Sequence, residues 1–277
     1  MHGGGCFHPK LYLFASENSV WIATGSFNLT DTGFKRNIEA VAVVEFQRDR
    51  LGSDEATFLG EIANFLRAAF CESNPLIEPA SECLRITVTD ILSSPVFREA
   101  ESIHSARSSN CIFLSSLGGS LLEQICRVAG VQTFKRIEVL SPFFDDDASA
   151  IRRLKKISQK LVLHIPAKKS LLPAELFETE SDLRKIPVFT VACVKDNVPR
   201  FCHAKLYRFH GQNDSWSFLT SANLSLPGMV NGGFPRNVEI GVLYRETKSG
   251  AFPGIGYRQP WGACPPVIKV ALLLEHP

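Results

Sequence analysis

A polar segment occurs twice in this chain of 277 residues, and the internal repeat restricts the fold more than any other feature. The segment HPKLYLFASENSVWIATGSFNL at 8–29 returns without a gap as HAKLYRFHGQNDSWSFLTSANL at 203–224. After a five-residue insertion in the second copy, GFKRNIE at 33–39 and GFPRNVE at 233–239 agree at five of seven positions. A duplication kept only for packing would preserve apolar residues, whereas this one preserves His, Lys, Ser, Asn, Arg and Glu. We therefore expect two copies of one polar constellation.

Hydrophobic patterns predict strands that alternate with helices. The strands are expected at Lys10–Phe14, Val20–Thr24, Asn37–Phe46, Cys111–Ser115, Arg136–Leu140, Leu161–Ile165, Val188–Val194, Glu239–Tyr244 and, in the Gly- and Pro-rich tail, Val267–Leu274. The helices are expected at Ser53–Phe70, Leu121–Ala129 and Ala148–Ser158. Residues 1–7 look unstructured, and 71–110 look like a loose join with a Ser-rich stretch. This order predicts a mixed α/β fold with units at 1–100 and 101–277.

Alternation along strands places polar residues of each copy on one side, because residues i and i+2 face the same way. The pairs are His8 with Lys10, Ser26 with Asn28, Asn37 with Glu39, His203 with Lys205, Ser221 with Asn223, and Asn237 with Glu239. Lysine is a point charge suited to phosphate oxygens, and Ser and Asn add hydrogen-bond donors. A carboxylate can fix the tautomer of a histidine. Each copy thus offers the groups that phosphoryl chemistry needs.

Two such copies related by an approximate two-fold axis would place His8 and His203 on opposite sides of a doubly cationic pocket. One histidine would attack phosphorus while the other protonates the leaving oxygen. The lysines and asparagines would stabilise the charge on the phosphoryl oxygens. We expect no metal and no other cofactor for this chemistry. The spacing of His2, Cys6 and His8 imitates a metal site, but no second ligand cluster supports it.

Simpler interpretations exist for each motif alone. A lone H-x-K on a strand is usually accidental, a lone Ser-x-Asn is usually turn chemistry, and a buried glutamate can be a salt-bridge partner. The same Lys-to-Ser spacing of 16 in both copies favours a site. The repeated apolar residues are assigned to the core, namely Trp21, Trp216, Leu29, Leu224, Phe34 and Phe234. Arg36 and Arg236 either bind substrate or pair with a carboxylate.

Composition is that of an ordinary globular protein, with 45% hydrophobic and 21% charged residues. The net charge of +2 is too small to argue for a polyanion partner, and the basic clusters at 152–153, 155–156 and 168–169 are interpreted as solvated surfaces. No secretion signal is visible, and the longest apolar runs are too short to cross a bilayer. Eight cysteines without a C-x-x-C pair are expected to be reduced, mostly buried thiols. A cytoplasmic location without membrane attachment is the expectation.

The two motifs, His8-Pro9-Lys10 with Gly25-Ser26-Phe27-Asn28 and His203-Ala204-Lys205 with Ser221-Ala222-Asn223, resemble the signature of the phospholipase D superfamily. The aspartate that this signature carries five residues after the lysine is replaced by Ala15 and His210, which is similar to the tyrosyl-DNA phosphodiesterase branch. The second copy is particularly similar to that branch through TSANLS at 220–225 and VEIGVL at 238–243. The first copy looks more like bacterial phospholipase D-like nucleases and helicase-linked defence proteins.

The resemblance implies two α-β-α sandwich repeats with mixed sheets and a site at their junction. It implies a phosphohistidine intermediate and no metal, with His8 as nucleophile and His203 as general acid and then base. The other catalytic residues expected are Lys10, Lys205, Asn28, Asn223, Glu39 and Glu239, with Ser26 and Ser221 as substrate-binding residues. The first repeat is expected to be N-terminally incomplete. A fragment, a start-site error and completion by a further polypeptide all stay open as reasons.

Three functions are consistent with these residues. The first is a metal-independent phosphodiesterase with DNA as its partner, either a nuclease that cleaves the backbone or a DNA repair enzyme that removes 3′ adducts. The second is a phospholipase or phosphatidyl-transferase, which the lack of an amphipathic membrane anchor disfavours. The third is a truncated, non-catalytic module that binds nucleic acid. We favour the first because the missing aspartate and the second copy both match the DNA-directed branch.

Overall fold

The computed structural model describes residues 5–72, 77, 79–104, 109–167, 169–191, 193–195, 198–231, 236–246 and 269–272. The strands are β1 (Leu11–Ala15), β2 (Ser19–Gly25), β3 (Asn37–Ile38), β4 (Ala40–Gln47), β5 (Cys111–Ser115), β6 (Arg136–Leu140), β7 (Leu161–Pro166), β8 (Val188–Val191), β9 (Cys193–Lys195), β10 (Val198–Cys202), β11 (Leu206–His210), β12 (Ser215–Thr220), β13 (Ile240–Glu246) and β14 (Lys269–Leu272). The helices are α1 (Asp31–Lys35), α2 (Ser53–Leu66), α3 (Glu82–Leu92), α4 (Pro95–Ser102), α5 (Leu121–Ala129), α6 (Ser149–Lys156), α7 (Ala174–Thr179) and α8 (Ser181–Arg184). The predicted mixed α/β architecture is confirmed.

The repeat is visible in the sheets. A four-stranded sheet has the order β1-β2-β4-β14, and a seven-stranded sheet has the order β5-β13-β12-β11-β6-β7-β8. The antiparallel strands β1, β2 and β4 therefore correspond to β11, β12 and β13. The parallel strands β6, β7 and β8 continue the second copy beyond β11, whereas β1 has no such neighbour among the described strands.

Two apolar cores lie on opposite faces of the seven-stranded sheet. The first core joins β2, β4 and α2 to side chains of β12 and β13, so it includes residues from both sides of residue 100. Phe58 of α2 contacts Phe113 of β5 across this core, with ring centroids 6.1 Å apart. The second core lies between the other sheet face and α5 and α6. The boundary proposed at residue 100 stays a prediction.

Several local expectations were wrong. The strand expected at 37–46 is interrupted at Glu39, so β3 pairs with β10 while β4 stays in the first sheet. The join at 71–110 contains α3 and α4, because Ser81 caps α3 by accepting from Leu84 N and Pro95 begins α4. Residues 6–8 are also ordered, since Val238 N donates to Cys6 O at 2.8 Å.

The expected burial of the first-copy core residues was also wrong. Trp21 and Leu29 are 45% and 67% exposed, whereas their counterparts Trp216 and Leu224 are 7% and 0% exposed. The physical reason is that β6 and the second core pack against the strands of the second copy. No described element packs in the same way against β1 and β2 of the first copy. Phe34 and Phe234 lie outside the residues whose side chains are described.

The described helices contain none that is long and apolar enough to cross a membrane. The basic cluster on α6 is a solvated helix face, as expected, since Arg152 pairs with Glu180 at 2.6 Å and Lys155 with Asp182 at 3.5 Å.

Candidate active site

Each H-x-K segment pairs with the Asn-x-Glu segment of the opposite copy. The strand β10 runs parallel to β3, and beyond it His203 N donates to Ile38 O at 2.8 Å. On the symmetric side, Phe7 forms a parallel bridge with Val238, and His8 N donates to Val238 O at 2.9 Å. The backbone therefore brings residue 8 beside residue 239 and residue 203 beside residue 39. Each of these two pairs therefore contains one segment from each copy.

This pairing places a buried carboxylate on each histidine. His203 Nδ1 lies 2.9 and 3.0 Å from the two oxygens of Glu39. His8 Nδ1 lies 3.1 and 3.0 Å from those of Glu239, and both glutamates are fully buried. A carboxylate only accepts hydrogen bonds, so the network assigns the proton of each neutral imidazole to Nδ1. Each Nε2 then carries the lone pair that can attack an electrophile or accept a proton.

A serine and an asparagine hold each glutamate in place. Ser26 Oγ donates to Glu39 Oε2 at 2.6 Å and Asn37 Nδ2 donates to Glu39 Oε1 at 3.2 Å. Ser221 and Asn237 bind Glu239 in the same way. Both serines are fully buried, and each hydroxyl also accepts from a backbone N–H of the following strand. The hydroxyls of Ser26 and Ser221, expected to bind substrate, are thus engaged with the glutamates.

The two lysines belong to the same cluster. Lys205 Nζ lies 2.8 Å from His203 Nε2, and Lys10 Nζ donates to His8 O at 2.8 Å. Burial lowers the pKa of Lys205 to about 7, against the opposing effect of Glu39, and the charge of Lys10 lowers it further. Burial likewise lowers the pKa of Lys10 to about 8, although Glu239 and Glu39 raise it. The charges that act on each lysine come from both copies, so the two motifs lie near each other.

The two histidines differ in what surrounds Nε2. Lys205 occupies the Nε2 side of His203, whose side chain is 12% exposed. His8 Nε2 has no hydrogen-bond partner in the described part of the chain, and its side chain is 28% exposed. The two glutamates are therefore arranged alike, whereas the surroundings of the two Nε2 atoms differ.

The motif asparagines lie in equivalent turns. The backbone oxygen of Asn28 accepts from Thr30 N at 2.8 Å, and that of Asn223 accepts from Ser225 N at 2.9 Å. Both side chains are half-buried, and Asn223 Oδ1 is buried without a hydrogen-bond partner. This buried amide oxygen can accept a hydrogen bond from a donor group of a ligand.

The positions five residues after each lysine lie outside this cluster. His210 is at the far end of β11, where its Nε2 is 3.2 Å from Glu138 Oε1 and its Nδ1 is 3.0 Å from Ser215 Oγ. The glutamates at 39 and 239 therefore supply the carboxylates of this site. Sequence reasoning did not foresee that each glutamate serves the opposite histidine, nor that Asn37 and Asn237 position the glutamates. Their same-face spacing with Glu39 and Glu239 was the available signal.

The remaining candidates are less central. Arg36 lies 3.9 Å from Asp31 on the surface, in line with the carboxylate pairing considered for it. Cys202 is 2% exposed and packs in the first core, as expected. His2 lies outside the described residues, and within the described ones no three His, Cys, Asp or Glu side chains are grouped as metal ligands.

Comparison with solved structures identifies the fold. A histidine-to-asparagine mutant of yeast tyrosyl-DNA phosphodiesterase superposes with a TM-score of 0.53 and 15% identity, covering 88% of this chain and 68% of that chain. A histidine-to-alanine mutant of the same yeast enzyme superposes with a TM-score of 0.52 and 14% identity, covering 87% and 68%. Neither the protein-family models nor the curated proteins contain a match to this chain. The predicted resemblance to tyrosyl-DNA phosphodiesterases is therefore confirmed for the fold.

Proposed function

We propose that this chain is a phosphodiesterase that acts on DNA through a covalent phosphohistidine and needs no metal ion. The observation that carries this proposal is the crosswise pairing: the glutamate of each copy holds Nδ1 of the opposite copy's histidine, beside two buried lysines. A histidine oriented by a carboxylate, with its second nitrogen free, is the arrangement that nucleophilic and general acid–base catalysis require. Two of them at one junction support a double displacement at phosphorus.

In the first step, His8 Nε2 attacks phosphorus, and the bond from phosphorus to the leaving oxygen breaks. Lys205 Nζ passes a proton to His203 Nε2, which passes it on to the leaving oxygen. The asymmetry of the cluster supports this assignment, because His8 Nε2 is open while Lys205 lies 2.8 Å from His203 Nε2. Burial lowers the pKa of Lys205 to about 7, so this ammonium is a ready proton donor within hydrogen-bond distance of His203 Nε2.

In the second step, a water molecule attacks phosphorus and gives its proton to His203, and the bond between phosphorus and His8 breaks. Lys10, Lys205, Asn28 and Asn223 would stabilise the phosphoryl oxygens in both steps. Ser26 and Ser221 act by positioning the glutamates, since their hydroxyls already donate to them.

DNA as the substrate is supported by the fold shared with a tyrosyl-DNA phosphodiesterase and by the motifs of the second copy. Cleavage of the backbone and removal of 3′ adducts, the reactions of a nuclease and of a DNA repair enzyme, both fit this chemistry. A cytoplasmic location is part of the proposal. The six cysteines whose state is described are free thiols, but the expected burial was wrong for most of them, since only Cys202 is buried while Cys6, Cys71 and Cys83 are exposed.

The test is cleavage of end-labelled oligonucleotides, with and without a 3′ adduct, in the presence of EDTA. Cleavage by the wild-type chain should be abolished in His8→Ala and in His203→Ala. His104→Ala is the matched control, because His104 is exposed and lies between α4 and β5, away from the cluster. Full activity of His203→Ala, or activity that EDTA removes, would contradict the proposal. Turnover of phosphatidylcholine but not of DNA would instead favour a phospholipase.

We also propose that a further polypeptide supplies an antiparallel strand to β1. In the second copy, β6 pairs with β11, and Phe209 is 0% exposed, whereas the equivalent Phe14 on β1 is 69% exposed. An open edge with apolar side chains beside it is a template for strand addition. The added strand should have apolar residues at alternate positions, as β6 does.

A peptide with the sequence of residues 134–144, which contains β6, is a direct probe. It should bind the chain saturably and shift the fluorescence of Trp21 to shorter wavelength, as burial of an exposed indole does. Phe14→Lys should abolish this binding, while Phe189→Lys, at an exposed position on β8, should not. Binding that Phe14→Lys leaves intact, or no binding at all, would contradict the proposed strand addition.

A further inference from the structure

Within the part of the chain that the structure describes, aromatic rings contact His203 and none contacts the His8 ring. Phe201 and His203 are two residues apart at the end of β10, with ring centroids 5.8 Å apart. Phe143, in the loop after β6, lies 6.2 Å from the Phe201 ring and 6.1 Å from the His203 ring. Both phenylalanines are half-buried, so part of each ring is open to solvent.

A cation completes this cluster. Lys169 Nζ lies 5.8 Å from the centroid of the Phe201 ring, and the Lys169 side chain is exposed. The Lys169 backbone has a φ of 60°, an uncommon conformation for a residue with a side chain. Such backbone conformations cost free energy and are enriched at ligand sites. The ammonium is therefore placed next to the aromatic surface at an energetic cost.

The repeat shows that this cluster does not belong to the shared unit. With the offset that aligns His8 with His203, the residue equivalent to Phe201 is Cys6. Among the described residues, this pair of rings therefore lies on the His203 side and has no counterpart at the Phe201-equivalent position of the first copy. In the proposed mechanism, that is the side where the leaving oxygen is protonated.

We propose that Phe201, together with Phe143, is a stacking platform for an unpaired nucleobase of the leaving strand, and that Lys169 binds the next phosphate of that strand. The proposal rests on the proposed function and adds a substrate class to it: single-stranded or frayed DNA cleaved within the backbone. Aromatic side chains stack on bases of any sequence, and a lysine beside them follows the phosphates. The reaction is the one described above, with a nucleotide oxygen as the leaving group.

The kinetic test compares two single-stranded oligonucleotides that differ only in the nucleotide on the leaving side, which is either normal or abasic. Loss of one stacked base corresponds to about 1–3 kcal/mol, or roughly 5- to 150-fold in kcat/KM. Phe201→Ala should lose this factor on the normal strand and little on the abasic strand. Phe201→Trp should restore the preference. Phe189→Ala, which removes an exposed phenylalanine from the edge of the same large sheet, is the matched control and should behave as wild type.

A binding test separates this inference from the proposed function. With His8→Ala, which forms no covalent adduct, fluorescence anisotropy measures the affinity for both oligonucleotides without turnover. Phe201→Ala in that background should weaken only the base-containing complex, and Lys169→Ala should lower the slope of log Kd against log salt by about 0.7. Equal effects of Phe201→Ala on both strands, or no binding of either strand, would overturn the platform. Absence of cleavage together with selective binding would overturn the proposed function alone.

Discussion

Each glutamate contacts the histidine of the opposite copy, so replacing it should impair that histidine and not the one nearer in the sequence. Glu239→Gln should disable His8, which is 231 residues away, and Glu39→Gln should disable His203, which is 164 residues away. If each glutamate served its own copy, the effects would be interchanged. The two single variants are isosteric, so they change hydrogen bonding with little change in packing.

The magnitude follows from the hydrogen bonds of Glu239. Its two oxygens face three donors, from His8 Nδ1, Ser221 Oγ and Asn237 Nδ2. A glutamine keeps one oxygen and turns an NH₂ group toward the other donors, so one or two buried donors lose their acceptor, at about 1–3 kcal/mol each. His8 would also lose the partner that fixes its tautomer. Replacing the triad carboxylate of a serine protease by an amide lowers kcat about 10,000-fold for this reason. We expect a loss of about 1,000- to 10,000-fold, or roughly 4–5.5 kcal/mol.

The assay uses an oligonucleotide with a 3′-p-nitrophenyl phosphate, because p-nitrophenolate leaves without being protonated. Glu39→Gln should therefore show a normal burst of one p-nitrophenolate per enzyme, followed by slow turnover, since His203 is needed to activate water. Glu239→Gln should show no burst, since His8 is needed for attack. A burst in Glu239→Gln that is lost in Glu39→Gln would refute the combination of crosswise pairing and His8 attack.

Three further predictions concern the buried polar groups. The kcat/KM should fall as the pH rises through about 7–8, where Lys205 and Lys10 lose their charge, and a pH–rate profile of the free enzyme measures this limb. Lys205→Met should be inactive but more stable than the wild type at pH 6, as measured by denaturant unfolding. Between about pH 7 and 10.5 the lysine is protonated in the unfolded state but not in the folded state, so the stability of the wild type decreases as the pH falls through this range. Burial of the charged ammonium therefore destabilises the fold most at low pH, by up to roughly 5 kcal/mol. Lower stability of that variant would contradict this reasoning. Ser221→Ala should slow the burst about 10-fold and leave KM unchanged, whereas a raised KM would return Ser221 to substrate binding.

The repeat made much of the site visible in the sequence. The pairs at i and i+2 correctly placed Asn37 with Glu39 and Asn237 with Glu239, because alternation along a strand is a local property. The crosswise pairing could not be deduced in this way. Both copies carry the same residues, and spacing alone does not distinguish a contact within a copy from one between copies.

Errors in the fold prediction have similar origins. The break at Glu39 depends on the strand leaving one sheet for another, and the apolar run around it hides the change. The helix α3 contains a β-branched stretch that weakens helix propensity, yet Val88 and Leu92 bury against the first core and stabilise it. Trp21 and Trp216 have the same motif position and opposite exposure, because burial depends on elements distant in the sequence.

The most direct test of the central claim is to trap the covalent intermediate. His203→Ala, mixed with the 3′-p-nitrophenyl oligonucleotide and denatured with acid-free quench, should retain one oligonucleotide per chain, attached to His8 Nε2 when the peptides are mapped by mass spectrometry. His8→Ala should retain none. An adduct on any other residue, or release of p-nitrophenolate by His8→Ala at the wild-type rate, would contradict two histidines from opposite copies acting on one phosphorus.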